Sequence, residues 1–334
     1  MTLADLLAGV IMVALNAYVL LGGADFGGGV WDLLARGPRK ARQRVLIEHA
    51  IGPVWEANHV WLILAVVLLF TCFPSAFARL AIALHVPLTL VLIGIVLRGS
   101  AFTFRSYGGE QEQEKYWGRV FAVASLVTPV LLGVAVGAVA SGAVTELTPD
   151  SGFVAAYVAP WVAPFPFAVG LFALACFAFL AAVYLTLEAE DDDLREDFRG
   201  RAIGAGVLVF VAAALGLLLS PPASPVGAKL VAAFPPWAPA LHLLTGIAAV
   251  SAFVALWKRQ YRAARIAAAA QVSLILWGWG IAQFPYLLPP DLTISEAAAP
   301  AVTLRLVLGA VGIGAVLLFP SLYYLFKVFK GTRG

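Results

Sequence analysis

Residues 51–70 read IGPVWEANHVWLILAVVLLF. The stretch opens as a polar, aromatic-rich patch and ends as an unbroken apolar run. An acid, an amide and an imidazole (Glu56, Asn58, His59) stand between Trp55 and Trp61, where a membrane helix begins. A second acid, Asp25, lies upstream in the glycine-rich run GADFGGGVW. Ionisable groups at membrane depth are expensive, which makes these residues functional candidates.

Working outward, the rest of the chain is equally apolar. Of 334 residues, 62% are hydrophobic and 12% charged, where a soluble domain carries about a quarter charged residues. Mean hydropathy is +0.92. The apolar residues fall in runs of membrane-spanning length, so the fold class is an all-α polytopic membrane protein. A membrane β-barrel would need short alternating segments, which are absent. Cys72 and Cys176 have neither metal-ligand spacing nor a disulfide framework. The opening MTLADLLAGV has no positive leader segment and reads as a retained first helix rather than a signal peptide.

Nine spans are expected, over 6–27, 53–73, 77–97, 117–139, 161–185, 203–219, 237–257, 266–287 and 302–326. Each approaches the roughly 20 residues that cross a hydrocarbon core. Basic residues set the orientation. Arg36, Arg39, Lys40, Arg42 and Arg44 follow the first span. Arg98, Arg105, Lys115 and Arg119 follow the third, and Arg195, Arg199 and Arg201 the fifth. Lys258, Arg259, Arg262 and Arg265 follow the seventh, and Lys327, Lys330 and Arg333 the ninth. Only Arg79, Lys229 and Arg305 of the 22 basic residues fall on the other side. The N-terminus is therefore expected outside and the C-terminus in the cytoplasm. The charge run EAEDDDLREDFRGR reads as a solvated linker or as a docking surface. Pro285, Pro289 and Pro290 cannot all continue a helix, so the chain turns there.

At 100° per residue, Gly52, Glu56 and His59 share an arc of roughly 60°, with Trp55 beside it. Glu56 lies near the cytoplasmic end of its span, and Asp25 near the same surface. Two carboxylates at one depth suit a proton path that His59 would extend. Each has a plainer reading. Glu56 can be an acid favoured by a helix N-terminus, Asp25 an interfacial or capped acid, and Asn58 an interhelical hydrogen-bond partner. Gly27, Gly28 and Gly29 fit close packing or a helix end, and lack the Lys-Ser/Thr of a phosphate loop. His85 and His242, both near the outer side, leave open a bis-histidine haem or simple polar contacts.

With these residues in hand, the chain resembles subunit II of the cytochrome bd-type quinol oxidases. The likeness rests on GADFGGGVWDLL, IGPVWEANHVWLI, FPSAFA, WGIAQFPYLLP, TLRLVLG and PSLYYLFKVF, in family order over nearly the whole chain. It implies two four-helix bundles (1–145 and 155–290) with a peripheral ninth helix and tail (300–334). It implies a haem-bearing subunit I as partner, holding two b-type haems and one d-type haem, with no haem or metal ligated by this chain. A small single-helix accessory subunit and a bound quinone also come from the resemblance. So does the activity: quinol oxidised at the outer face, and O2 reduced to water with cytoplasmic protons, in the bacterial cytoplasmic (inner) membrane. Asp25 and Glu56 occupy the family's proton-uptake positions, and Trp61 sits where an oxygen route passes. Some members have Asp in place of Glu56 and Gln in place of His59. The chain lacks the large hydrophilic loop and the His and Met ligands of subunit I. Two other classes share some of these features. A proton-coupled transporter would place polar groups near the midplane, whereas these acids lie toward one surface. A self-sufficient dihaem b-type cytochrome would need facing histidines. Nothing points to nucleic acid.

Overall fold

In hydrocarbon every backbone N–H and C=O must be satisfied within its own segment, so the apolar runs become helices. The computed structural model describes residues 2–51, 55–107, 111–145, 152–221, 224–231 and 237–330, and the side chains of Trp55 and Glu56 lie outside the described residues. The elements are α1 (Leu3–Leu33), α2 (Lys40–Ile51), α3 (Trp55–Cys72), α4 (Pro74–Ala83), α5 (His85–Tyr107), α6 (Gln111–Ser141), α7 (Phe153–Tyr157) and α8 (Pro164–Glu188). They continue with α9 (Asp192–Leu219), α10 (Pro225–Val231), α11 (Trp237–Trp257), α12 (Tyr261–Gln283), β1 (Tyr286–Leu288), β2 (Leu292–Thr293), α13 (Ile294–Ala297) and α14 (Ala301–Lys330). Eight helices among the described residues are long and apolar enough to cross a membrane. The count rises to nine when α3 is taken with α4, from which it is bent by 117°.

Three expectations are corrected. The third span does not begin at Phe77. Pro74 opens the short helix α4, and the crossing helix starts only at His85. Arg98 is not in a loop: α5 runs on past it to Tyr107, and the side chain is 2% exposed. The sixth span is not short. Asp191 caps α9 by accepting from the Leu194 N–H at 3.0 Å, so most of the charge run is helical. Asp192 and Asp193 in the first turn suit the positive end of the helix dipole.

That charge run is partnered within the chain. Arg39 grips Asp197 with two nitrogens, at 2.8 and 2.6 Å. Gln43 donates to the same carboxylate at 2.8 Å, and Arg42 reaches Asp191 at 2.5 Å. Glu196 receives Arg199 and Arg259. These bonds tie the α1–α2 connection and the α11–α12 turn to the start of α9, and they mark one charged end of the bundle.

Helix association in lipid rests on packing rather than water exclusion, so small residues bring backbones together. A Cβ on Gly133 would sit 2.7 Å from the Gly170 Cα, and one on Gly170 2.6 Å from the Val130 carbonyl oxygen. α6 and α8 therefore pack backbone to backbone. One apolar cluster runs from Leu7 and Phe26 of α1 through Phe179 and Leu180 of α8 to Leu256 of α11 and Ala268 of α12. α14 joins it only along one side, through Leu304, and just 6% of its most apolar window is buried. At the prolines, β1 and β2 pair antiparallel, with Leu288 opposite Leu292.

Candidate functional site

α1 continues six residues past the end expected for it, through the glycine run that follows Asp25. Its glycines face different neighbours. A Cβ on Gly27 would strike the Phe177 carbonyl of α8, and one on Gly28 would meet Ile51 of α2. One on Gly29 would strike Ser125 of α6. The glycine run is thus a packing device, and it does not end the helix. The Trp31 Nε1–H donates to the Ala178 carbonyl at 2.8 Å, which fixes the rotation of α1 against α8.

That rotation presents Asp25 to α3. Asp25 is 5% exposed, and the Asn58 amide, 2% exposed, donates to its Oδ2 at 2.5 Å. Asn58 thus brings α3 to Asp25, and it lies away from the arc that Gly52, Glu56 and His59 share. The backbone of Glu56 lies in the first turn of α3. His59, half-buried, has its ring 5.8 Å from Tyr18 and 6.0 Å from Phe26. Trp61 is buried and tilts against Phe319 of α14 at 6.5 Å.

Arg98 completes the cluster, and sequence reasoning missed it. Its guanidinium lies 4.8 Å from the Phe26 ring centroid and 5.1 Å from that of Phe121. Its Nε donates to Ser125 Oγ at 3.3 Å. Asp25 is near enough for its charge to act on it. Burying a guanidinium costs several kcal/mol. Two aromatic faces return up to about 2 kcal/mol each when desolvated, and a carboxylate nearby offsets more. The available signal was the small and apolar GSAF that follows Arg98, which a helix accommodates.

A cavity of about 100 Å³ opens beside Asp25. Asp25 and Asn58 line it together with Tyr184, Glu188 and Arg265. Among the described residues no group of three or more His, Cys, Asp or Glu could hold a metal ion. His85 lies against Tyr157 at 6.3 Å at the start of α5. His242 is exposed on α11, which packs on α9 and α12. Cys72 and Cys176 are buried free thiols.

Comparison with known proteins gives one consistent relationship. The family model described as Cytochrome bd terminal oxidase subunit II matches residues 3–329. The chain is similar to the cytochrome bd ubiquinol oxidase subunit 2 of Bacillus subtilis, at 35% identity over 133 residues (40% of this chain and 39% of that one). It is similar to the cytochrome bd-I ubiquinol oxidase subunit 2 of Escherichia coli K12, at 31% over 137 residues (41% and 35%). These two matches thus span well under half of each relative. In three dimensions it superposes on a chain of the bd oxidase from Geobacillus thermodenitrificans with a TM-score of 0.80, at 24% identity and over 100% of both chains. The superposition carries the fold.

Proposed function

The chain belongs to the cytochrome bd terminal oxidase subunit II family, whose model spans almost its full length, and from that premise we propose that it serves a quinol:oxygen oxidoreductase as the subunit that shapes proton uptake. In this reading it sits in the bacterial cytoplasmic membrane beside a haem-bearing subunit I. The partner holds two b-type haems and one d-type haem. A single-helix accessory subunit and a quinone complete the assembly. The N-terminus faces outward, and the charged end of the bundle is cytoplasmic. The helices group as two four-helix bundles, 1–145 and 155–290. The shallow burial of α14 supports its place as a peripheral ninth helix.

The observation that carries the reading is the Asp25–Asn58 contact inside the membrane-spanning part of the fold. A carboxylate there is costly to keep unless it has work to do. Asn58 orients one oxygen, Arg98 supplies a positive charge nearby, and the adjoining cavity admits water. Those are the elements of a relay in which water delivers a proton to Asp25 and the acid hands it onward. Glu56 and His59 extend the relay along α3. Trp61, buried against Phe319, lines an apolar route for oxygen from lipid.

The test is Asp25→Asn in the assembled oxidase. Quinol-driven oxygen consumption and proton uptake are expected to fall about tenfold or more, while haem content and subunit stoichiometry stay normal. Unchanged turnover, or loss of assembly in place of loss of turnover, would refute the proton role.

A further inference from the structure

The cavity beside Asp25 has a definite shape. Its α1 wall is Leu21, Ala24, Asp25 and Gly28. At 100° per residue these fall in one arc of roughly 100°. That arc lies between the side of Gly23 and Gly27, which meets α8, and the side of Asp25, which meets α3. Its α8 wall is Ala181, Tyr184, Leu185 and Glu188, spaced i, i+3, i+4, i+7, which is a single stripe. Seven residues of helix are about 10 Å long, so each stripe runs about 10 Å along the bundle. Arg265, in the second turn of α12, closes the side, with its guanidinium 5.0 Å from the Tyr184 ring centroid.

The two ends of the cavity differ. At the deep end are Asp25 and Asn58, both almost fully buried. At the shallow end is Glu188, the last residue of α8 and only half-buried. A water molecule needs roughly 10–15 Å³ of such space, so about 100 Å³ holds several. The polar groups that would anchor them stand at both ends and along one side. Among the described residues, the charged and titratable groups around Glu188 include Arg265 from α12, Tyr184 one turn back and Glu190 two residues on, with Asp25 of α1 at the far end. Arg195 of α9 joins them, donating to the Ala189 carbonyl at 2.8 Å.

We propose that this cavity is the hydrated entrance to the proton path, with Glu188 collecting protons at the cytoplasmic surface and a short water file passing them to Asp25. The inference rests on the proton role of Asp25 argued above. It adds an entrance formed by the second half of the chain, α8 and α12, where Asp25, Asn58 and His59 lie on α1 and α3. The step is a proton transfer and nothing else. Glu188 takes a proton from bulk water, the file relays it, and Asp25 accepts it while Glu188 returns to its carboxylate. Arg265 lowers the cost of holding carboxylates charged at both ends.

The experiment compares Glu188→Gln, Ala24→Leu and Asp25→Asn in the assembled oxidase, by quinol-driven oxygen consumption from pH 6 to pH 9. Glu188→Gln is expected to slow turnover several-fold. The deficit should widen as pH rises and bulk protons grow scarce, and a small weak acid such as acetate should partly restore the rate. Ala24→Leu fills the cavity and is expected to slow turnover without acetate rescue. Normal haem content in each variant separates these effects from misfolding. A wild-type rate and pH profile in Glu188→Gln and Ala24→Leu, beside an impaired Asp25→Asn, overturns the entrance and leaves the path reading standing. A pH-independent loss in Glu188→Gln that acetate does not touch also overturns it. An unimpaired Asp25→Asn overturns the path itself. If Glu188→Gln fails to assemble, Ala24→Leu decides the question: a wild-type rate overturns the entrance, and slowed turnover with normal haem content supports it.

Discussion

Arg98 offers the sharpest test of how the buried cluster is held together. Consider Arg98→Met. Methionine keeps the length and packs well against aromatic rings, for about 0.3–1.5 kcal/mol, so contact with Phe26 and Phe121 largely survives. Two things are lost. The bond from Nε to Ser125 is charge-assisted and worth about 1.5–3 kcal/mol. The positive charge acting on Asp25 also goes, and removing one partner of a buried pair costs about 3–5 kcal/mol. The two losses overlap, so the single variant should lose about 3–5 kcal/mol. In an Asp25→Asn background the sign changes. There the guanidinium is the uncompensated charge, and replacing it with an apolar side chain is neutral or stabilising, by analogy with buried pairs exchanged whole for apolar residues. The double-mutant cycle should therefore show a coupling of about 3 kcal/mol. Unfolding free energies of the four proteins, from denaturant titration of the purified complex, supply the numbers. Additivity within about 0.5 kcal/mol would refute the reasoning: Arg98 would then be held by its rings and Ser125 alone, and Asp25 would owe it nothing.

Gly27→Ala places a Cβ against the Phe177 carbonyl, which cannot move without shifting α8. Overpacking of this kind costs about 1–3 kcal/mol, and a lowered melting temperature of the complex checks it. Gly9, where a Cβ would meet nothing, is the control, and Gly9→Ala should be silent or slightly stabilising. Asp191→Ala removes the cap of α9 and the partner of Arg42. The Leu194 N–H, and then the Arg42 guanidinium, hold the Asp191 carboxyl below its ordinary value of 3.8. A depressed carboxyl contributes stability above its ordinary value and loses it as pH falls through the depressed one. The variant should therefore be less stable at pH 7, by a small amount, and the difference should close as pH drops below 3.8.

The spans were legible because apolar runs of membrane length can do little else. What escaped was direction. The stretch FPSAFARLAIAL is as apolar as the helix on either side of it, and hydropathy records no bend, so α4 was folded into its neighbour. The start of α9 escaped for the opposite reason: charge density reads as loop, but a charged helix can stand clear of the membrane once Asp191 caps it. Arg98 followed the default that a basic residue flanking an apolar run lies at its end. The default fails when two aromatic rings and an acid lie on the helices opposite, which no local pattern reports. Asn58 shows the same limit. The wheel groups residues by face, but it cannot say which face meets α1.

The placement of Asp25 follows from the glycines around it more than from its own charge. Gly23 and Gly27 lie within 40° of each other, and α8 packs down onto that side, where a Cβ on Gly23 would be 2.6 Å from the Phe177 ring. Trp31 then fixes the rotation through Ala178. With the rotation fixed, Asp25 can point only toward α3, and between residues 21 and 28 the arc between the two contact sides carries nothing larger than Leu21. A gap is left there because Ala24 is too small to fill it, and Ile51 of α2 closes it beside Gly28. Acid and cavity are therefore two consequences of one packing arrangement, and substitutions at Gly27 should disturb proton uptake as well as stability, although Gly27 touches neither Asp25 nor water.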